Sequence, residues 1–247
     1  MLATAVLCLA LLDGCATTGT SSTHTPADPW EGFNRQVYAF NDVVDRWTLK
    51  PVARAYEAIT PEFVRNGIGN FFDNLTYPAT IVNQLLQGKP GMAARDTGRL
   101  LMNTLFGVGG LVDVASRAGL PENDEDFGQT LAVWGVPSGP YLVLPFLGPS
   151  SVRDTPSSFA EYFVDPLTYA DLHWEEVWAL RAVEIVDARA RLLPLEPTLE
   201  RTFDPYAFVR DAWLQRRAYE IYDGDPPVEP LELEEEWLDE DETLDDL

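Results

Sequence analysis

Cysteine and histidine are scarce in this 247-residue chain, and the scarcity removes whole classes of chemistry. The two cysteines, Cys8 and Cys15, both fall within the first fifteen residues, so the body of the chain can form no internal disulfide. The two histidines are His24 and His173. A zinc site needs clustered Cys and His, and the sequence has no such cluster. A hydrolase needs a nucleophile, a base and an orienting group. His173 is the only histidine of the body, and beside Trp174 at a helix start it reads as a structural or surface residue. G-x-S-x-G and G-x-x-x-x-G-K-[ST] are both missing, and the Gly-rich GVGG at Gly107–Gly110 follows no strand pattern. Carboxylates are plentiful, but no spacing singles out a pair. The chain therefore reads as a non-enzyme with no cofactor and no metal.

Positive charge is also short. Lys and Arg number 17 against 40 Asp and Glu, a net charge of -23. That balance argues against nucleic acid as a partner, because such binding is driven by neutralising phosphates. It equally argues against docking on anionic lipid by charge alone. Asp225 to Leu247 carries twelve of the acidic residues and no Lys or Arg, and it is broken by proline. Residues 225–247 thus read as a mobile acidic tail. Long apolar runs are missing as well: no segment of the body has 18 uninterrupted apolar residues, so a single ordinary spanning helix is excluded there.

What is present begins at the N-terminus. MLATAVLCLALLDGC has a short apolar stretch, Leu2–Leu12, of signal-peptide length, and ends in L-D-G-C, which resembles a bacterial lipobox. Residues 1–14 are the expected signal peptide, and Cys15 the expected lipid-anchored (palmitate-bearing) N-terminus. Asp13 and the lack of Lys or Arg before the apolar stretch depart from the usual pattern. Ala16, next to the anchor, favours sorting to the outer membrane over retention. Residues 15–27 form a Ser/Thr/Gly tether.

Residues 28–224 read as one folded, all-α unit. Asp28 is placed to cap a helix with Pro29 at its first position and Glu31 as reciprocal partner. Beyond it Phe33, Val37, Phe40, Val44 and Trp47 recur at steps of four and three, an amphipathic signature. A helix is expected over Pro90–Phe106, with Leu101, Met102 and Leu105 on one side and a stop at GVGG. A short one is expected over 111–117, closed by Gly119, and a long one from His173 to Leu193. Asp204 and Pro205 repeat the cap-plus-proline start of a last helix that runs to about Gly224. Strand alternation is scarce, and no internal repeat is visible.

One stretch resists this reading. GVPSGPYLVLPFLGPSS, residues 135–151, is apolar at its centre yet has Gly or Pro at 135, 137, 139, 140, 145, 148 and 149. Regular structure is nearly forbidden to it.

Four blocks now point one way: DPWEGFNRQVYAFND at 28–42, FGVGGLVDVAS at 106–116, GVPSGPYLVLPFLGPSSVRD at 135–154 and DPYAFVRDAWLQRR at 204–217. Together with YPATIVNQLLQGKP and DFGQTLAVWG, they resemble the MlaA (VacJ) family of outer-membrane lipoproteins, over about residues 28–222. The resemblance implies a ring-shaped helical single domain lying in the inner part of the outer membrane, with a central amphiphilic channel. It implies removal of mislocalised phospholipid from the outer leaflet and delivery to a soluble periplasmic carrier, which maintains lipid asymmetry. It implies association with trimeric porins. It also places a Pro/Gly-rich hairpin beside the channel, here at Gly135, Pro137, Gly139, Pro140, Tyr141 and Pro145; a rigid buried connector is the alternative. Arg153 and Arg210 are candidates for channel lining or head-group contact, and structural salt bridges serve them equally well. The competing function is a lipid-anchored, porin-binding structural protein that moves nothing.

Overall fold

The computed structural model describes residues 27–227. Cys15, most of the tether and the acidic segment from residue 228 onward lie outside the described residues. Helices dominate. In chain order they are α1 (Glu31–Trp47), α2 (Leu49–Ile59), α3 (Glu62–Leu86), α4 (Pro90–Phe106), α5 (Val114–Arg117) and α6 (Phe127–Val133). A two-stranded antiparallel hairpin follows, β1 (Tyr141–Leu144) and β2 (Gly148–Ser151). Then come α7 (Asp154–Glu161), α8 (Pro166–Tyr169), α9 (Trp174–Arg191), a 3₁₀ turn at Leu193–Leu195, α10 (Glu196–Arg201) and α11 (Pro205–Ile221). The all-α expectation holds, with the hairpin as its one small sheet among the described residues.

Local chemistry accounts for most boundaries. Pro90 opens α4, where its missing N–H costs nothing, and Gly107 closes it. Beyond the cap, Gly109 and Gly110 donate back to Thr104 and Asn103 at 3.0 Å each. Asp113, Asp126, Asp165 and Asp204 cap α5, α6, α8 and α11, each accepting a first-turn backbone N–H. The backbone N–H of His173 donates to Glu176 Oε2 at 2.8 Å at the start of α9, a structural role for that histidine. The last helix stops at Ile221, slightly before its expected end.

The first helix departs from expectation. It begins at Glu31, not at Pro29, and Asp28 does not cap it. Glu31 pairs instead with Arg35 at 2.7 Å. Asp28 is fully buried, where it accepts from Asn34 Nδ2 at 2.8 Å and from the Tyr206 hydroxyl. Interior partners outcompete the cap because a buried carboxylate must keep its donors. Two helices were not anticipated at all: α2 and the 25-residue α3, which carries Pro78 inside it.

The packing is inverted. Among the described residues twenty polar or charged residues are buried and only ten hydrophobic ones. The fully buried side chains include Gln84, Gln129, Asn34, Thr80, Asp28 and Asp96. Large apolar residues point outward: Trp47 is 78% exposed, Ile59 80% and Phe106 74%. The stripe on α1 is real, but Phe33, Phe40 and Trp47 are exposed while Asn34 is the helix's buried residue. Along α3 the buried face reads Gly69, Phe72, Asn74, Tyr77, Thr80, Asn83 and Gln84, with one large apolar side chain that has no polar group.

Candidate functional site

The hairpin that the sequence singles out lies between α1 and α11. Tyr141 and Val143 of β1 are buried with Tyr206 of α11, and Val37, Tyr38, Trp213 and Leu214 close around them. The register pairs Tyr141 with Ser151 and Leu144 with Gly148. Two further bonds extend the ladder at its root, from Val152 N–H to the Pro140 carbonyl and from Arg153 N–H to the Ser138 carbonyl.

Side chains of α1 satisfy the other edge of β1. Asn34 Nδ2 donates to the Tyr141 carbonyl at 3.0 Å, and Asn34 Oδ1 accepts from Val143 N–H at 2.9 Å. Two turns on, Asn41 Nδ2 donates to the Leu144 carbonyl and Asn41 Oδ1 accepts from Phe146 N–H. The Ala27 carbonyl takes the Tyr141 N–H at 2.9 Å. Residues seven apart on a helix share a face, so two asparagines act as a third strand would. This is how an apolar, proline-rich run keeps its backbone groups paired. Pro149 stands opposite Val143, whose N–H already goes to Asn34, so the missing donor takes nothing from the ladder.

The structure distributes the predicted hairpin residues over distinct places. Gly135 ends α6, its N–H donating to the Ala132 carbonyl, and Pro137 follows it ahead of the ladder. Gly139, at φ +67°, and Pro140 form the root of the hairpin, Tyr141 is its buried anchor, and Pro145 lies in the tip. At the tip Phe146 adopts φ +66°, a left-handed conformation that costs a non-glycine residue about 1–2 kcal/mol. It is held by Asn41 and by an edge-to-face contact with Phe40, ring centroids 5.2 Å apart.

One face of the hairpin borders an open, charged cleft of ≈ 370 Å³, formed by Pro149 and Ser150 of β2, Asp124, Asp126, Asp154 and Ser157, and Arg216, Arg217 and Glu220 of α11. Arg217 braces it. Its guanidinium donates to Asp126 and to both oxygens of Asp154, at 3.0 and 3.1 Å. Burial alone would raise the Asp154 carboxyl; hydrogen bonds from Arg153 and Arg217 outweigh it and hold the group below the ordinary carboxylate range. Asp124 is pushed up, first by enclosure in the cleft and then by the negative charges of Asp126 and Glu220.

Arg153 and Arg210 are both buried beside carboxylates. Arg153 Nε reaches Asp154 at 2.9 Å, and Arg210 meets Asp211 at 2.8 Å and Asp28 at 3.5 Å. Sequence reasoning missed Asn34, Asn41 and the Asp126–Arg217–Asp154 brace. A signal existed for the first pair: asparagine is a poor helix former, and two of them seven residues apart in a helix interior need another reason to be there. The brace joins residues 91 and 63 positions apart, and no local pattern reports such a pair.

No helix among the described residues is long and apolar enough to cross a membrane. Among the same residues no group of three His, Cys, Asp or Glu is arranged to hold a metal ion. The arrangement offers polar clefts inside an apolar exterior.

Comparison with known proteins agrees with this geometry. The intermembrane phospholipid transport system lipoprotein MlaA of Escherichia coli (strain K12) is 39% identical over 213 residues, covering 85% of this chain and 84% of that protein. The protein of the same description from Haemophilus influenzae is 34% identical over 230 residues, 90% of each chain. A solved chain from work on the structural basis for maintenance of bacterial outer membrane lipid asymmetry superposes with a TM-score of 0.69 at 39% identity, covering 80% of this chain and 99% of that one. The family model described as MlaA lipoprotein matches residues 26–220, which takes in the hairpin and all of the described helices but the final residue of α11, and the chain therefore belongs to the MlaA lipoprotein family.

Proposed function

We propose that this protein is an outer-membrane lipoprotein, anchored through Cys15, that removes mislocalised phospholipids from the outer leaflet. It passes them through a polar passage in a ring of helices to a soluble periplasmic carrier, in association with a trimeric porin, and so maintains lipid asymmetry. The observation that carries this reading is the inversion: twenty polar and charged residues inside against ten hydrophobic, with large apolar side chains outside. An exposed apolar exterior of this extent is stable where lipid or a partner covers it. A charged head group loses its water at great cost in hydrocarbon, and a hydrated, charged interior removes that cost with no covalent step. The exposed aromatics Phe159, Tyr162, Phe163, Tyr169, Trp174 and Trp178 support a place at a membrane boundary. The names borne by the relatives support the same activity.

Deleting the gene and measuring surface-exposed phospholipid tests the proposal. Build-up in the deletion strain, cleared by the wild-type gene, is expected. Normal asymmetry in the deletion strain would overturn transport and leave a porin-binding structural protein.

A further inference from the structure

A second cleft, away from the hairpin, has a chemistry of its own. It encloses ≈ 330 Å³ where α2, the first turns of α3 and the end of α9 meet. Its charged lining is Glu57, Glu62, Arg65, Asp73, Asp187 and Arg191. Arg191 is spoken for: its guanidinium lies over α3 with Nε on Asp187 at 2.9 Å and Nη1 near Asp73 at 3.3 Å. Gly69 makes that approach possible, because a Cβ there would overlap the guanidinium. Arg65 is different. Among the described residues it is the only buried or half-buried lysine or arginine with no carboxylate in ion-pair range. Its Nη1 donates to the carbonyls of Glu57 and Thr60, at 2.9 and 2.7 Å, which fixes the guanidinium in the cleft wall. Glu57 and Glu62 enter no ion pair among the described residues, and Asp73 is poorly compensated, its carboxyl raised by burial in spite of Arg191.

From this arrangement we infer that the cleft holds a zwitterionic phospholipid head group, with Arg65 taking the phosphodiester and the Glu62 and Asp73 side receiving the ammonium. The inference rests on the transport reading and adds to it a place and a head-group class. Four carboxylates against two arginines leave the cleft with a net charge of -2, which repels a free phosphate dianion and suits a ligand that brings its own cation. A planar guanidinium with donors to spare suits a phosphodiester. Ile59, 80% exposed, and Phe63, 77% exposed, border the cleft lining in sequence and offer apolar surface to acyl chains.

The test titrates the detergent-solubilised full chain with short-chain phosphatidylethanolamine, and separately with inorganic phosphate, by calorimetry. Wild type should bind the lipid. Arg65→Gln should weaken binding at least tenfold and Arg65→Lys should recover part of it, while Arg117→Gln, an exposed arginine elsewhere, should bind as wild type does. Asn66→Trp fills the cleft and leaves Arg65 in place; it should also abolish binding, and it stands in for Arg65→Gln should that variant misfold. Equal lipid binding by wild type and Asn66→Trp, or by wild type and a folded Arg65→Gln, would overturn the site and leave transport standing. Tight binding of inorganic phosphate that the lipid fails to displace would overturn the lipid as ligand. Wild type that binds no lipid at all would count against the transport reading itself.

Discussion

Asn34 is the residue on which the hairpin most depends. Its amide makes three buried bonds at once, to Asp28 Oδ1, to the Tyr141 carbonyl and from Val143 N–H. Asn34→Leu keeps the heavy-atom count and the branching at Cγ and removes all three. Asp28 keeps the Tyr206 hydroxyl and Arg210, so its loss is partial. The Tyr141 carbonyl and Val143 N–H are left without these partners in the interior, and each buried unsatisfied group costs about 1–3 kcal/mol. The total for the two is about 2–6 kcal/mol, a large share of a typical 5–15 kcal/mol. In a domain of this size that lowers Tm by roughly 5–25 °C. The assay is thermal unfolding in a fixed detergent, with hydrogen exchange at Val143 as local readout. Asn34→Asp sharpens the test. It keeps an acceptor for Val143 but sets a new carboxyl against Asp28, which raises its folded pKa. A group raised on folding contributes stability present below its unfolded value near 4 and lost as pH rises through the folded one. The Asn34→Asp deficit should therefore shrink as pH falls. A Tm within about 3 °C of wild type for Asn34→Leu, below the expected range, or a deficit in Asn34→Asp that is flat with pH, would refute the assignment.

Three further outcomes follow from the same structure. Arg217→Met strips Asp126 and Asp154 of their shared cation and should cost about 3–5 kcal/mol at neutral pH, by chemical denaturation. Because Asp154 is depressed on folding, the stability it draws from Arg217 is present above about pH 4 and fades as pH falls through the folded value; the variant's deficit should narrow there. Gly139→Val forces a β-branched side chain into φ +67° with its Cβ 3.0 Å from that of Val152, so it should strain the hairpin root, by about 1–2 kcal/mol for the backbone alone, and alter lipid clearance per molecule of protein present. Cys15→Ala should abolish labelling by a fatty-acid analogue, and labelling that persists would refute the anchor.

The helices that the sequence made legible are those with chemical punctuation. Pro90 and GVGG bracket α4, and Asp204 with Pro205 opens α11, because caps act locally whatever the helix later packs against. The same rule failed at Asp28, where burial beside Asn34, Tyr206 and Arg210 overrode a well-formed local signal. Helix α3 escaped because its inward face is mostly amide and hydroxyl around Phe72, with Gly69 and Pro78 breaking the apolar pattern. The hairpin's position was legible and its support was not: Asn34 and Asn41 bond to residues 103 to 109 positions away. The Gly/Pro pattern located the stretch and family likeness made it a hairpin, while the arrangement that holds it had to be read from the fold.

Periodicity alone cannot say which side of an amphipathic helix faces in, and this fold turns the usual answer around. In water the exposed Leu105 and Phe106 would be a cost and the buried Asn103 a weakness. Covered by lipid, apolar side chains gain little from turning inward, and close packing together with hydrogen bonds carries the cohesion. Two neighbours on α4 put that to a direct test. Asn103 is buried; its Oδ1 accepts from the backbone N–H of Val114 and of Ala115, and its Nδ2 donates to Asp113. Leu105, two residues on, is 70% exposed. Asn103→Leu orphans the buried Ala115 N–H, leaves the Val114 N–H only the Val112 carbonyl and takes a donor from Asp113; it should cost about 1–3 kcal/mol, though it adds apolar surface to the interior. Leu105→Asn should change stability in detergent by no more than about 0.5 kcal/mol, and should show instead as weaker membrane association in a Cys15→Ala background, where no acyl chain masks it. For a protein stabilised by an apolar interior the leucine would matter more than the asparagine. If Leu105→Asn proves the more destabilising of the two, the inverted reading of this fold is wrong, and the apolar exterior needs another explanation than lipid.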